Sequence, residues 1–469
     1  MKKQICVVLL LAFTLNVSAQ EGLFQKDFEW KEFTDRRNRI MDSIGSNGIA
    51  IVQGALSVTS FEVFRQTNEF YYLTGLEIPH AYILLDGRKR KSTLYIPHRD
   101  EGRERGEGKR LSAEDATLIV GTTGIEEVKS IEMLSPNLAS MLIRYPFPSM
   151  FTPHSPGEGK AGSRDEAVIG YARIAADPWT DETPKESRFI QLMQERFPQF
   201  EIKDLSPIMD EMRLIKSEKE IELIKKASQI AGAALIEAMK ATKPGVMEYQ
   251  LGAVAKYHYL MNDAKYDGYS AIIGGGNNAW HGHYFHNKDK LKAGDMVLMD
   301  YAPDYHYYTS DVTRIWPVNG KFTQGQIELY GVITAWYKEL MKRIKPGVSA
   351  QQITEETAAA LKPIIAKMKF SKEIYRKAAE GALTFTGALS HPVGMAVHDV
   401  GNYKKDLLVP GMVFSIDPMI WIPEEKLYVR VEDVGVVTDT GFENFSAFVP
   451  IEVKEIEKII QNAGMNVPR

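Results

Sequence analysis

The sequence predicts an α+β protein with two domains, on three observations. Its 469 residues exceed what one ordinary hydrophobic core serves. An N-terminal region interleaves a helix with short apolar runs broken by Gly and Pro, the marks of a mixed α/β domain. A C-terminal region alternates long amphipathic helices with hairpins that carry acids where apolar or neutral residues belong. Hydrophobic residues at 44% and charged residues at 25% suit a globular chain. Net charge is −4 and no block of like charge stands out, so neither a nucleic-acid partner nor a charged tail is expected.

Residues 1–19 read as a leader outside the fold. "MKKQICVVLLLAFTLNVSAQ" has a basic start, an apolar run too short to span a bilayer, and the small-residue exit Val17-Ser18-Ala19. That is a cleavable secretory signal, so export, with a periplasmic destination and no membrane attachment after cleavage, is expected. Cys6 is the sole cysteine, and its removal leaves a chain without thiol or disulfide.

Residues 28–205 form the first expected domain. It opens with the helix "FEWKEFTDRRNRIMDSI", and "GIAIVQG", "AYILLDG" and "STLYIP" read as strands. The charged "HRDEGRERGEGKR" reads as a solvated loop, and residues 151–187 as a long surface excursion.

The second expected domain spans 213–455. Ser217 and Glu220 make a capping box for a helix with apolar spacing through Met239, and Pro244-Gly245 stops it. A second helix, in "QIELYGVITAWYKELMKRIKPGV", ends in Lys345–Val348, the same Lys-Pro-Gly-Val as Lys243–Val246, and a further helix follows each copy. An internal duplication explains the pattern. In "VLMDYAPDYHYYTSDVT", Asp300 and Asp311 are equidistant from a turn centred between Tyr305 and His306 and should face each other. In "MVFSIDPMIWIPEEKLYVRVEDVGVV", Asp417 and Glu432 stand in the same relation about Glu424 and Glu425. Both pairings hold only if neither hairpin contains a bulge.

Acids set among Val, Leu, Met, Ile and Trp are costly unless protonated or paired with cations. Divalent metals neutralise both pairs at once. "LSHPVGMAVHDVG" adds His391 and His398 in an apolar, Gly-containing stretch between the hairpins. An oxygen-rich set with one or two imidazoles suits two divalent ions, Mn²⁺ first and Zn²⁺ or Co²⁺ as alternatives, rather than a thiolate zinc site. Such ions would activate water and polarise a carbonyl.

At these residues the sequence resembles the aminopeptidase P/prolidase family of pita-bread metallopeptidases. The motifs are "LMDYAPDY", "SDVTRIWPVNGKFT", "HPVGMAVHDVG", "GMVFSIDP" and "VRVEDVGVVT", with "FRQTNEFYYLTGLEIPHAYILL" in the N-terminal region. The resemblance implies a pseudo-twofold C-terminal fold, with helices on a curved antiparallel sheet. It also implies a dinuclear, often manganese-dependent aminopeptidase that removes the residue before proline and assembles as a dimer or tetramer. The implied ligands are Asp300, Asp311, His391, Asp417 and Glu432. His283 falls on a substrate-side histidine, and His398 on the histidine that contacts the scissile carbonyl and the oxyanion. Asp417 falls on the ligand that is also the base, and Thr313 would support a ligand from behind. Arg430 matches an arginine near the active site, and equally could pair with a carboxylate. His281, His286 and His306 read as exposed loop histidines, and the tyrosines of "YHYY" as packing.

Two positions depart from the family. Asp417 replaces the usual glutamate and is one methylene shorter, and Gly387 replaces a histidine four residues before His391. Pro392 directly after His391 also bears on the local backbone. Altered specificity is the expected consequence. A prolidase-like dipeptidase and a metal-free creatinase-like or peptide-binding relative remain as alternative readings.

Overall fold

The computed structural model describes residues 22–144, 148–384, 389–404, 406–462 and 464–465; the leader and Gly387 lie outside them. Two compact units divide the chain. Residues through Lys160 with Arg164–Met209 form the first, and Ala161–Ser163 with the chain from Asp210 onward form the second. Among the described residues no helix is long and apolar enough to cross a membrane.

The first unit is built on one mixed sheet. Its strands are β1 (Gly48–Gln53), β2 (Tyr82–Asp86), β3 (Lys91–Ile96), β4 (Glu127–Ser130), β5 (Ser149–Thr152) and β6 (Glu201–Asp204), in the order β4-β3-β2-β1-β5-β6. The three apolar runs read from sequence are β1, β2 and β3, the central strands. Buried on both faces, they show continuous apolar runs rather than alternation. The helix Trp30–Ile44 sends Arg36 and Arg37 inward, where Nη1 of each donates to a carbonyl of the helix Asn68–Thr74, Tyr72 O at 3.1 Å and Leu73 O at 3.0 Å. Gly75 ends that helix at φ +63, and a Cβ there would sit 2.6 Å from the Phe33 ring.

Two loop expectations in this unit need correcting. Within the charged stretch 98–110, Glu101–Glu107 is helical and buries no residue. The Asp100 carboxylate caps it by accepting from Arg103 N, and Arg103 pairs with Glu107 one turn on, so local interactions replace a buried face. The stretch 151–187 contains the helix Arg164–Ile174 and the start of another, Lys185–Arg196.

The second unit repeats a helix pair and a hairpin. The helix Glu218–Ala241 carries the expected capping box, with Ser217 N donating to Glu220 Oε2 at 2.9 Å, and the helix Glu248–Met261 follows. In the other half come Gln324–Met341 and Ala350–Ile365. The two Lys-Pro-Gly-Val copies make the same contacts. Gly245 N donates to Leu291 O and Leu291 N to Val246 O, each at 2.8 Å; Gly347 and Val348 do likewise with Leu408, again at 2.8 Å. Leu291 precedes Asp300 by the same spacing as Leu408 precedes Asp417. The repeated turn therefore delivers one carboxylate to an equivalent place in each half.

The strands of this unit are β7 (Tyr266–Asp267), β8 (Ile272–Gly275), β9 (Met296–Asp300), β10 (Pro303–Asp304), β11 (Thr313–Pro317), β12 (Val413–Ile416), β13 (Met419–Ile422), β14 (Leu427–Arg430), β15 (Asp433–Val437) and β16 (Phe442–Asn444). They pair as β11-β9-β8, β12-β15-β16, β13-β14 and β10-β7. An antiparallel bridge between Thr313 and Glu432 ties the first hairpin to the second.

The two hairpins differ in how they meet expectation. Ile416 pairs with Asp433 and Met419 with Arg430, so Asp417 falls opposite Glu432, as the sequence implies. In the first hairpin the turn lies one residue later. His306 and Tyr307 take positive φ, 52° and 75°, between the bridged Tyr305 and Tyr308. Asp300 therefore pairs with Thr313, not with Asp311. Asp311 stands two residues before Thr313, and side-chain contacts still bring it to Asp300.

Candidate metal centre

Alternation along the strands aims the carboxylates inward. Asp300 ends β9, Asp311 precedes β11, Glu432 lies between β14 and β15, and all three are buried. Asp417 sits just after β12 and is half-buried. The Tyr269 hydroxyl is a shared donor, 2.5 Å from Asp300 Oδ1 and 2.9 Å from Asp311 Oδ1. On the other side the buried Arg430 donates through Nη2 to Asp300 Oδ2, to Glu432 Oε2 and, at 2.7 Å, to Thr313 Oγ1. Thr313 Oγ1 in turn donates to Glu432 Oε2 at 2.9 Å.

His391 completes a compact trio. Asp311, His391 and Glu432 each offer one ligand atom, and these lie within 4.8 Å of one another. His391 Nε2 is 3.3 Å from Asp311 Oδ2, 4.0 Å from Glu432 Oε1 and 3.3 Å from Ser415 Oγ. Its other ring nitrogen, Nδ1, is 3.1 Å from the Pro392 carbonyl. A carbonyl can only accept, so the proton belongs on Nδ1, and the Nε2 lone pair faces the carboxylates.

Electrostatics explain what this arrangement calls for. Burial first, then the Glu432 and Asp300 charges, hold the Asp311 carboxyl well above the usual range. Burial and the Glu432 charge push Asp417 up to about 7. Burial works against the Arg430 charge, but Glu432, Asp300 and Asp311 outweigh it and hold its proton more firmly than usual. One guanidinium thus serves four carboxylates. Glu432 Oε1 is buried and makes no hydrogen bond, which is expensive for a carboxylate oxygen. An orphaned oxygen, an imidazole lone pair aimed at it, and excess negative charge are what a divalent cation would satisfy. The residues present fit such a group.

The remaining expected residues stand around this trio at different distances. Asp300 and Asp417 lie outside the compact set, and Arg430 and Tyr269 engage the oxygens of Asp300. The His398 ring lies 4.3 Å from that of His391, and its backbone N donates to Ser163 Oγ at 3.1 Å. His283 is exposed, with its ring 6.5 Å from that of His398 and stacked on Phe285. His281 and His286 are exposed, and His306 is half-buried in the first hairpin's turn. Tyr307 and Tyr308 are core residues; the Tyr308 hydroxyl donates to Glu220 Oε1 at 3.0 Å.

Sequence reasoning misses Tyr269 and the ion cluster beneath His398. Tyr269 precedes an unremarkable apolar run, and only the pairing of β8 with β9 brings it to the aspartates. Asp399, next to His398, is buried between Arg213, which donates to its Oδ1, and Lys216 Nζ, 3.0 Å from its Oδ2. Gly394 leaves room for that carboxylate, since a Cβ would lie 2.1 Å from Asp399 Oδ2. The adjacency of His398 and Asp399 is visible in sequence, but their partners lie far away along the chain.

Comparison with known proteins agrees with this geometry. The model of "Metallopeptidase family M24" matches residues 222–439, and that of "Aminopeptidase P, N-terminal domain" matches 33–146. The chain is 30% identical to the Xaa-Pro aminopeptidase of Escherichia coli over 455 residues, covering 92% of this chain and 97% of that one. It is 29% identical to the Xaa-Pro aminopeptidase of Haemophilus influenzae over 457 residues, covering 92% and 97%. Among solved structures, proline aminopeptidase P II from Yersinia pestis superposes with a TM-score of 0.76 at 27% identity, covering 92% of this chain and 99% of that one. The expected α+β fold is thus shared with aminopeptidase P along nearly the whole chain. With side chains suited to a divalent metal clustered in one unit and a match to the aminopeptidase P N-terminal domain in the other, the chain belongs to metallopeptidase family M24.

Proposed function

We propose that this protein is an Xaa-Pro aminopeptidase, releasing the first residue from peptides with proline in second position. The observation that carries the reading is the Asp311–His391–Glu432 trio around an unbonded carboxylate oxygen, with Asp300 and Asp417 alongside. We assign the metal ligands as Asp300, Asp311, His391, Asp417 and Glu432, holding two ions, Mn²⁺ by preference and Zn²⁺ or Co²⁺ in its place. Bound divalent ions would polarise the scissile carbonyl and acidify a water molecule.

The chain's own groups do the rest. Asp417 is the carboxylate we assign to take a proton from the attacking water. It returns that proton to the proline nitrogen as the C–N bond breaks, so the products are a free amino acid and a peptide beginning with proline. His398, beside His391, donates to the oxyanion as it forms. His283 orients the substrate from the exposed rim, and Arg430 acts from within, holding Asp300 and Glu432 in place. The shorter Asp417 arm narrows the geometry its proton transfer tolerates.

The same proposal includes residues 1–19 as a cleaved signal, a periplasmic location, domains at 28–205 and 213–455, and a homo-oligomer. A panel of Xaa-Pro-Xaa, Xaa-Ala-Xaa and Xaa-Pro substrates, run with and without chelator, tests the activity. Release of the first residue only from Xaa-Pro-Xaa, abolished by chelator and restored by Mn²⁺, is expected. Cleavage of the dipeptide alone would favour a prolidase, and full activity in chelator would rule out the metal chemistry.

A further inference from the structure

Behind the candidate metal centre, on the opposite face of the same strands, lies a buried polar cluster that the proposed reaction does not use. Thr313 and Glu432 point toward the carboxylates, and their chain neighbours Arg314 and Asp433 therefore point away. Both are fully buried. Arg314 Nη2 donates to Asp433 Oδ1 at 2.9 Å and Oδ2 at 3.1 Å, and to Val449 O at 3.0 Å; Nε donates to Pro450 O at 3.3 Å. The Tyr337 and Ser446 hydroxyls also donate to Asp433.

The remaining nitrogen of the fork is the informative one. Arg314 Nη1 donates to the Thr313 carbonyl at 2.9 Å and to the Glu432 carbonyl at 2.8 Å. These two carbonyls close the bridge between the hairpins, accepting from Glu432 N at 3.0 Å and Thr313 N at 3.2 Å. Each carbonyl thus accepts twice, once across the bridge and once from Arg314. The bridge sets the separation of β11, whose Thr313 pairs with Asp300 on β9, from the segment bearing Glu432.

We infer that Arg314, anchored by Asp433, is a positioning residue for the metal centre, fixing the Thr313–Glu432 bridge and through it the spacing of Asp300 and Glu432. The inference rests on the metal-centre reading proposed above. Lysine keeps the charge opposite Asp433, but its donors share one nitrogen and cannot span the carbonyls and the carboxylate that Arg314 holds through separate nitrogens of its fork. Outer hydrogen-bond partners of this kind commonly change metal affinity 10- to 100-fold.

The test compares the parent, Arg314→Lys and Tyr337→Phe in full-length protein. Co²⁺ is titrated by calorimetry and by its visible absorption, with far-UV circular dichroism and urea unfolding of the metal-free forms alongside. For Arg314→Lys the expected result is a folded protein with Co²⁺ affinity weakened about 10-fold or more. An altered Co²⁺ spectrum and a kcat that falls more than KM changes are expected with it. A purely structural role would lower metal-free stability and leave the affinity and spectrum of the folded protein unchanged, which overturns the inference. Should Arg314→Lys fail to fold, Tyr337→Phe removes one donor to Asp433 while Arg314 stays. A shifted Co²⁺ spectrum then supports the inference, and a parental one overturns it. A parent that takes up no Co²⁺ removes the metal-centre reading, and the inference with it.

Discussion

Asp311 is held between Tyr269, His391 and Glu432, and burial, then the Glu432 and Asp300 charges, raise its carboxyl by more than Arg430 offsets. Asp311→Ala should therefore lose metal uptake and activity together, activity by roughly 10³-fold or more. His398→Ala removes no atom of the ligand trio and should keep metal content while kcat falls roughly 10²- to 10³-fold. Metal analysis beside kinetics separates the two, and metal loss in His398→Ala would invert the assigned roles. Asp417 gives a pH signature in the metal-free protein. Its folded pKa of about 7 lies above the unfolded carboxylate value, so the folded state holds the extra proton between about pH 4 and 7. Stability is fully present below that window and falls as pH rises through it. Asp417→Asn should flatten the fall, read as urea midpoints in chelator at pH 5 and 7.5; an unchanged slope would refute the assignment. The carboxylates and His391 are legible in sequence because acids in apolar runs need a reason. Tyr269 is not, since a tyrosine beside a strand is ordinary until its partner strand is known.

Element by element, what sequence reveals depends on whether the signal is local. The capping box at Ser217 and the stop at Pro244-Gly245 are local, and the helix Glu218–Ala241 obeys both. Ser217→Ala should cost about 1 kcal/mol, measured by urea unfolding, because Glu220 N loses its acceptor at the first turn; a change within about 0.3 kcal/mol would mean the helix end is held by packing alone. The second hairpin's register follows from a turn marked by Pro423. The first does not, because its left-handed turn positions are His306 and Tyr307, where Gly or Asn would be the usual marker. The helix Glu101–Glu107 is missed because charge without an apolar stripe gives no periodicity to read. Arg314 and Asp433 are hidden for a related reason. On strands whose residues are buried on both faces, a charged residue's side is known only once the register is known.

At the scale of the whole molecule, the proposed ligands Asp300, Asp311, His391, Asp417 and Glu432 span a long stretch of sequence, yet all belong to the second unit. An ion held by them would bind only when both hairpins are folded and joined through Thr313 and Glu432. Its binding free energy is then folding free energy for that unit. At about 100 times the dissociation constant the gain is about 2.7 kcal/mol. Hydrogen exchange followed by mass spectrometry resolves where that gain falls. Backbone amides of β9, β11, β12 and β15 should exchange more slowly with Mn²⁺, their opening free energy rising by about that amount. Amides of the first unit's sheet, β1 to β6, should exchange at the metal-free rate, because no assigned ligand comes from it. In Asp311→Ala the protection should vanish, and in His398→Ala it should persist. Equal slowing in both units would mean that the metal couples to the fold through contacts beyond the five ligands. No slowing in the second unit would show that the ion does not bind the folded cradle in preference to its open forms, and would overturn the ligand assignment.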